Sequence, residues 1–289
     1  MTTTPSPAPT PPPGRVVTFL GIDGSGKDTL AAHLATRLNQ AGTPTDTLSR
    51  RDYLLTNPTG PDATLNRTLY DAALRTFYIN ARTCEGDRIA DDMPDTADLR
   101  DPTLERHLAG AEIGSNNPRT ILAAALTETA GAMTYWNTVL LPRAATTGHT
   151  LIDPCHLLRS VIKNCVLVQQ AAGDGTLQHR QAEQALTAAI TLLRPNTSTV
   201  VPVLLKVHPA TAYERRIKQH GRLGPFEHYG TLGGHTTRAA FLDLQRRVQQ
   251  VLERAAADWR AVVVDMNPDG DVAWPAAIET ITADDRMLR

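Results

Sequence analysis

The sequence of 289 residues predicts an α/β fold of three layers, in which helices flank a five-stranded parallel sheet and extra helical insertions are added. Short apolar runs alternate with longer segments of helical periodicity, and no second run of consecutive strands occurs. A glycine-rich loop joins the first strand to the first helix. We therefore expect a single domain at residues 15–289, preceded by a disordered Pro/Thr-rich tail at 1–14.

The first strand and the first helix have the clearest boundaries. Residues 15–22 are apolar and β-branched and end at glycines, which is typical of a buried strand. Apolar residues then recur at helical spacing over 27–41, and Gly42 and Pro44 end that helix. A short second strand is expected at 45–49. This order is typical of the start of a parallel α/β sheet.

The remaining elements continue the alternation. Further strands are expected at the short apolar runs 150–153, 200–207 and 261–265. Helices are expected at the longer periodic segments 63–83, 118–146, 155–172, 179–193, 209–219, 237–259 and 272–283. Residues 84–118 are acidic and weakly periodic, so we expect an insertion on the surface there, with a functional lid as the alternative.

The composition excludes several classes of protein. A formal net charge of −1 argues against a general nucleic-acid binder, and the absence of a long apolar run argues against a membrane protein. The N-terminal tail has neither the basic start nor the apolar core of a secretory signal. The three cysteines show no metal-binding or redox spacing, which favours a reduced, cytoplasmic location.

The stretch "GIDGSGKDTL" at residues 21–30 indicates a phosphate-binding loop (P-loop). It matches the pattern G-x-x-x-x-G-K-[ST] up to the lysine, Lys27. Backbone N–H groups and the helix N-terminus would hold phosphate, while Lys27 would pair with the β- and γ-phosphates of ATP. The predicted nucleotide-binding residues are Gly21, Asp23, Gly24, Ser25, Gly26, Lys27, Asp28 and Thr29.

The last position of the pattern departs from the rule, because Asp28 stands where a serine or threonine normally reaches Mg²⁺. A carboxylate can ligate Mg²⁺ directly, but it weakens phosphate binding when no metal neutralises it. Thr29 supplies a hydroxyl one position late, on a different face of the helix. Asp23 could hold the metal or a substrate hydroxyl, or it could be a turn residue that bonds its own backbone.

The loop and its surroundings, "FLGIDGSGKDTLAAHL", resemble the opening of thymidylate kinases, which are P-loop nucleoside monophosphate kinases. Weaker similarities follow in the same order over about residues 15–283. The resemblance implies a P-loop fold, Mg²⁺ and ATP as cofactors, and Arg50 or Arg51 as the arginine that holds the acceptor phosphate. It also implies a metal or acceptor role for Asp153, and it is compatible with a homodimer, which is typical of that family.

The acceptor half departs from the family pattern. The family's Asp-Arg-Tyr is here Asp153-Pro154-Cys155, and its Asp-Arg pair in the central helix is here Glu128-Thr129. Arg159, close to His156, could hold a different anionic group, because guanidinium binds phosphate or carboxylate in a bidentate manner. The alternative for both residues is a solvated helix face. These departures imply an acceptor other than thymidylate, with thymidylate left open.

A basic lid region is expected at residues 209–234. Its basic residues are Arg215, Arg216, Lys218, His220 and Arg222, and glycines follow that could serve as hinges. Arg216 and Arg222 are the candidates for neutralising charge on the transferring group. Two of these basic residues could instead be the polar face of a helix. Glu227 resembles a glutamate that follows the lid in the family.

The sequence thus predicts an ATP-dependent phosphotransferase acting on a nucleoside monophosphate or a related small phosphorylated acceptor. The predicted catalytic residues are Lys27, Asp23, Arg216 and Arg222, and the predicted metal ligands are Asp28 and Asp153. The predicted substrate-binding residues are Arg50, Arg51, Asp153, His156 and Arg159. Two alternatives stay open: a non-catalytic nucleotide-binding regulatory protein, and a kinase of a specialised metabolite.

Overall fold

A computed structural model describes residues 14–56, 59–83, 85–91, 108, 110–113, 117–224, 226–230, 236–268 and 270–288. Within these residues, five strands form one parallel sheet in the order β2-β3-β1-β4-β5. The strands are β1 Val16–Leu20, β2 Thr45–Thr47, β3 Thr150–Asp153, β4 Val200–Lys206 and β5 Val262–Asp265. The predicted α/β fold with a five-stranded parallel sheet is confirmed.

The helices lie between the strands in the predicted alternation. They are α1 Lys27–Gln40, α2 Arg50–Thr56, α3 Pro61–Tyr78, α4 Pro118–Tyr135, α5 Leu141–Thr147, α6 Leu158–Ala172, α7 Leu177–Leu192, α8 Pro209–His220, α9 Thr237–Asp258, α10 Gly270–Thr282 and α11 Asp285–Leu288. A π-helical turn, Trp136–Leu140, joins α4 to α5. None of these helices is both long and apolar enough to cross a membrane.

The central strand β1 determines where a ligand can bind. It pairs with β3 on one side and β4 on the other, and all five of its residues are buried. The sequence of β1 is apolar apart from Thr18, which is typical of a strand in a parallel sheet with helices on both faces. The connection after β1 leads to β2 on one side, and the connection after β3 leads to β4 on the other side, which opens a crevice at the carboxyl ends of these strands.

Two helix predictions were wrong in detail. The helix expected at 118–146 is interrupted by the π-helical turn, in which the N–H of Leu141 donates to the carbonyl of Trp136. Pro142 explains the interruption, since its ring has no N–H and clashes with the carbonyl four residues earlier in a regular α-helix. The helix expected at 63–83 ends at Tyr78.

The short helix α2 was missed, because the sequence suggested a strand as far as Ser49. Strand β2 ends at Thr47 instead. The Ser49 hydroxyl donates to the Asp52 carboxylate at 2.7 Å, and the Asp52 N–H donates back to that hydroxyl at 3.0 Å. This reciprocal arrangement caps the start of α2. It places Arg50 and Arg51 in the first turn of a helix.

The expectation of a surface insertion at 84–118 is wrong for part of that segment. Ile89, Leu108, Ala111 and Ile113 are at most 6 % exposed and belong to the main apolar core. Most other residues of the segment, the tail at 1–13 and the lid residues 225 and 231–235 lie outside the described residues. Among the described cysteines, Cys155 and Cys165 are free thiols.

Candidate active site

The loop at residues 21–26 has a backbone that requires glycine at two positions. Gly24 has a φ of +76° and Gly26 a φ of +85°, both in the left-handed region that favours glycine. A Cβ at Gly24 would lie 2.3 Å from the carbonyl oxygen of Ala212, in helix α8. The loop is therefore packed directly against α8, and it leads into the N-terminus of α1, whose dipole favours an anion.

Lys27 lies within this loop. Its Nζ donates to the carbonyls of Gly21 and Ile22 at 3.0 and 2.7 Å and to the hydroxyl of Ser25 at 3.2 Å. The side chain is 7 % exposed, and burial lowers its pKa to about 8. A phosphate bound in the loop would compete with these carbonyls for the ammonium group.

The loop opens onto a cavity of about 540 Å³. Among the described residues, the cations that line it are Lys27, Arg50, Arg51, Arg159, Lys163 and Arg216, and the carboxylates are Asp23, Asp28, Glu128 and Glu227. Six cations against four carboxylates leave a formal excess of two positive charges. Such a cavity attracts anions such as phosphate esters.

Asp23 is the centre of a buried charge cluster beside the loop. Its carboxylate accepts from Arg159 Nη1, from Lys163 Nζ at 2.6 Å and from Gln245 Nε2 at 2.8 Å. The Asp23 N–H donates in turn to Gln245 Oε1 at 3.1 Å. Burial alone would raise the pKa of Asp23, but the adjacent Arg159 and Lys163 hold it well below its usual range. Asp23 is therefore ionised and held in place.

The sequence analysis did not identify Lys163 or Gln245. Lys163 follows Arg159 by four residues on α6, so both side chains lie on one face of that helix. That spacing is the signal that could have identified Lys163. Gln245 is fully buried on α9, and nothing in its local sequence distinguishes it from other polar residues.

The lid region is joined to the loop through Gln245. Its Nε2 also donates to the carbonyl of Glu227 at 3.1 Å. The Glu227 carboxylate pairs with Arg216 and accepts from the N–H of Gly224 at 2.8 Å. Arg216 thus lies at the cavity. Arg222, the other candidate, is exposed and is not among the residues that line the cavity.

Phe226 holds this part of the lid against α3. Its φ of +64° is unusual for a non-glycine residue. Its ring lies 4.5 Å from that of Phe77 and 5.1 Å from that of Tyr78, measured between centroids. The aromatic contacts offset the backbone strain and close one side of the cavity.

The two adjacent arginines of α2 have different surroundings. Arg50 is 3 % exposed, and its Nη1 donates to Glu128 Oε2 at 3.0 Å. Its guanidinium carbon lies 5.3 Å from the ring centroid of Tyr70. Arg51 is exposed and also lines the cavity. Of the two candidates for the acceptor phosphate, Arg51 is the more accessible.

His156 and Asp153 are not among the residues that line the cavity. His156 is fully buried between the rings of Trp136 and Trp259, at 5.0 and 5.2 Å, and burial lowers its pKa to about 3. These contacts are typical of a neutral histidine in the protein core, and they do not place His156 at the cavity as a substrate-binding residue. Asp153 is 1 % exposed and accepts from the Thr18 hydroxyl at 2.7 Å, and burial raises its pKa to about 6.

The residues near the loop are compatible with Mg²⁺ held mainly by nucleotide phosphates. Asp28 is exposed, lies in the first turn of α1 and faces the cavity, whereas Thr29 is half-buried and does not line it. Among the described residues, no group of three or more His, Cys, Asp or Glu side chains could hold a metal. Mg²⁺ commonly binds through one or two carboxylates together with substrate phosphates and water. Asp28 fits this mode as a direct ligand, whereas the predicted metal ligand Asp153 is buried and does not line the cavity.

Comparisons with known proteins identify no family for this chain. Neither the protein-family models nor the curated proteins give a match. Among solved structures, a deoxyadenosine kinase from M. mycoides with bound dATP matches at a TM-score of 0.49 and 14 % identity, over 93 % of this chain and 100 % of that chain. A likeness of this size supports no transfer of residue roles, so the functional argument depends on the geometry of the site.

Proposed function

We propose that the protein is an ATP-dependent phosphotransferase that transfers the γ-phosphoryl group to a nucleoside monophosphate or a related small phosphate ester. One observation carries this proposal. The phosphate-binding loop with Lys27 opens onto the same cavity as Arg51, Arg159 and Arg216, which come from three further helices. A donor phosphate at the loop and an acceptor phosphate at the arginines would therefore face each other.

The donor end supplies charge stabilisation. The loop N–H groups and Lys27 would hold the β- and γ-phosphates, and Arg216 would follow negative charge onto the transferring group. Asp28 would hold Mg²⁺, which neutralises charge on the phosphates when it is bound. Lys27 and Arg216 must first give up their present partners, the loop carbonyls and Glu227.

The carboxylates favour an acceptor that is already ionised. A hydroxyl acceptor needs a general base, and a carboxylate paired with a cation is a weak base. Three of the four carboxylates that line the described cavity, those of Asp23, Glu128 and Glu227, pair with arginine. A phosphate oxygen needs no deprotonation, so the pairing supports a phosphorylated acceptor.

A second candidate is a nucleotide-binding regulatory protein without catalysis. The engagement of Lys27 by the loop and of Arg216 by Glu227 favours it, since both proposed catalytic cations already have partners. Nucleotide binding would displace these partners if the protein is an enzyme. Turnover separates the two candidates.

The test is coupled ADP release with Mg²⁺-ATP against a panel of nucleoside monophosphates that includes dTMP. Acceptor-dependent ADP release is expected, with a loss of about 100-fold or more in Lys27→Ala because a charge-stabilising donor is removed. Lys218→Ala, at an exposed lid position outside the cavity lining, is the matched control and should keep wild-type activity. ATP binding without acceptor-dependent release would support the regulatory protein.

A further inference from the structure

The cavity has a second polar feature, the Arg50–Glu128 pair, which the phosphoryl transfer itself does not use. We infer that Glu128 selects the acceptor by accepting a hydrogen bond from an amino group on a planar heterocycle. This inference rests on the proposed function, because it assigns the acceptor class for the same cavity. It concerns the end of the acceptor that does not react.

Arg50 is committed to Glu128 and cannot serve the acceptor phosphate in this arrangement. Its side chain is 2 % exposed, its Nη1 pairs with Glu128, and its Nη2 lies 3.4 Å from the carbonyl of Asn66. A Cβ at residue 131 would lie 2.4 Å from Arg50 Nη2. Gly131 therefore leaves the space on α4 in which the guanidinium sits.

Glu128 is the accessible member of the pair. Its side chain is 12 % exposed, against 2 % for Arg50, and it is among the residues that line the cavity. Arg50 is the counter-ion of Glu128, and its guanidinium is almost fully buried. An ionised carboxylate can only accept hydrogen bonds. The polar feature offered to a ligand at this wall is therefore an acceptor with negative charge.

Apolar side chains line the same cavity as Glu128 and are called its apolar wall. It consists of Tyr70, Leu74, Phe77, Leu108 and Phe226. Aromatic and aliphatic side chains of this kind pack well against a flat ring. A heterocycle on this wall can direct an amino group to Glu128 and form a charge-assisted hydrogen bond. A carbonyl in place of the amino group would set two acceptors against each other at that position of the ring.

The experiment compares AMP with IMP and CMP with UMP, pairs in which a carbonyl replaces the amino group and the adjacent ring nitrogen gains a hydrogen. Affinities are measured by calorimetry without ATP, so that the result does not depend on turnover. The wild-type protein is expected to bind the amino member about 10- to 100-fold more tightly, which is the size expected for one hydrogen bond to a charged group. Glu128→Gln should reduce the ratio to a few-fold, because an amide can both donate and accept. Glu279→Gln, an exposed glutamate on α10, should keep the wild-type ratio.

A second variant covers the case in which Glu128→Gln fails to fold. Gly131→Ala keeps the Glu128 carboxylate but displaces the Arg50 guanidinium, because the added Cβ would overlap it. The helix itself should tolerate the change, since alanine is a better helix former than glycine. The preference for the amino member should fall in this variant as well, because Arg50 no longer holds the Glu128 carboxylate in position. Thermal unfolding of each variant reports whether the fold is intact.

Several results would overturn the inference. Equal affinity for both members of each pair would do so, as would an unchanged ratio in the folded Glu128→Gln variant. Failure of all four nucleotides to bind would also reject the acceptor class. An intact preference in binding without any ADP release would reject the proposed function and leave the inference on Glu128 standing.

Discussion

The two ends of the cavity are built differently. At the loop end, one carboxylate, Asp23, is held by Arg159, Lys163 and Gln245, which come from two helices far along the chain. At the other end, a single ion pair joins Arg50 to Glu128. The first arrangement fixes a backbone loop through three side chains, whereas the second is one ion pair whose arginine also contacts Asn66 and Tyr70. The inferred role of Glu128 places the acceptor preference at this second end.

The largest expected effect is on activity, at the two lid arginines. Arg216→Ala should lower kcat about 100-fold or more, because Arg216 lies at the cavity next to the loop. Arg222→Ala should have a much smaller effect, because Arg222 is exposed and outside the cavity lining. Steady-state ADP release measures both variants. Similar losses in the two would show that the lid rearranges so that Arg222 also reaches the phosphates.

The second effect is on stability, and it compares the two charge clusters directly. Asp23→Ala leaves Lys163 buried and Arg159 partly buried without their shared partner, so the free energy of unfolding should fall by about 3 kcal/mol or more. Glu128→Gln keeps a hydrogen-bond acceptor for Arg50, so its loss should be only about 1–3 kcal/mol. Urea unfolding measures both values.

A double substitution is the control for this comparison. Lys163→Met removes one of the two cations that lose their partner in Asp23→Ala. Combining the two substitutions should therefore recover part of the lost free energy of unfolding. Equal losses in the two single variants, or no recovery in the double variant, would contradict the account of the loop end as a charge cluster with several partners.

The last effect concerns Asp153 and the pH dependence of stability. Burial raises the pKa of Asp153 from 3.8 to about 6, so the folded state favours the protonated form. Its contribution to stability is present below pH 4 and is lost as the pH rises through about 6, at a cost of about 3 kcal/mol at pH 7. Asp153→Asn should therefore raise the free energy of unfolding at pH 7 by up to that amount. Urea unfolding at several pH values measures the difference, and a constant difference between pH 4 and pH 7 would show that Asp153 is not the titrating group.

The loop was predictable from sequence because its elements are local. Strand, glycines, lysine and helix follow one another within residues 16–40, and the structure places them as expected. Pro142 could also have been used, since it marks the interruption of the helix expected at 118–146. The extent of the fold was predictable for the same reason, because apolar periodicity is a local signal.

The partners of the charged residues were not predictable in this way. Arg50 and Glu128 are 78 residues apart, and Asp23 and Gln245 are 222 residues apart. Only the packing of helices on the sheet brings them together. His156 illustrates the converse, because its neighbour Arg159 reaches the cavity while the imidazole lies between two tryptophans. Sequence proximity alone does not assign side chains to the same site.

The central claim is that the acceptor brings its own ionised oxygen. The most direct test measures kcat/KM with Mg²⁺-ATP for matched pairs, AMP with adenosine, CMP with cytidine and dAMP with deoxyadenosine. We expect the phosphorylated member of at least one pair to be favoured by about 100-fold or more. The arginines would lose their anionic partner with the other member, and three of the four carboxylates that line the described cavity are paired with arginine. Equal or faster turnover of the unphosphorylated member would contradict the claim and show that one of the paired carboxylates acts as a base.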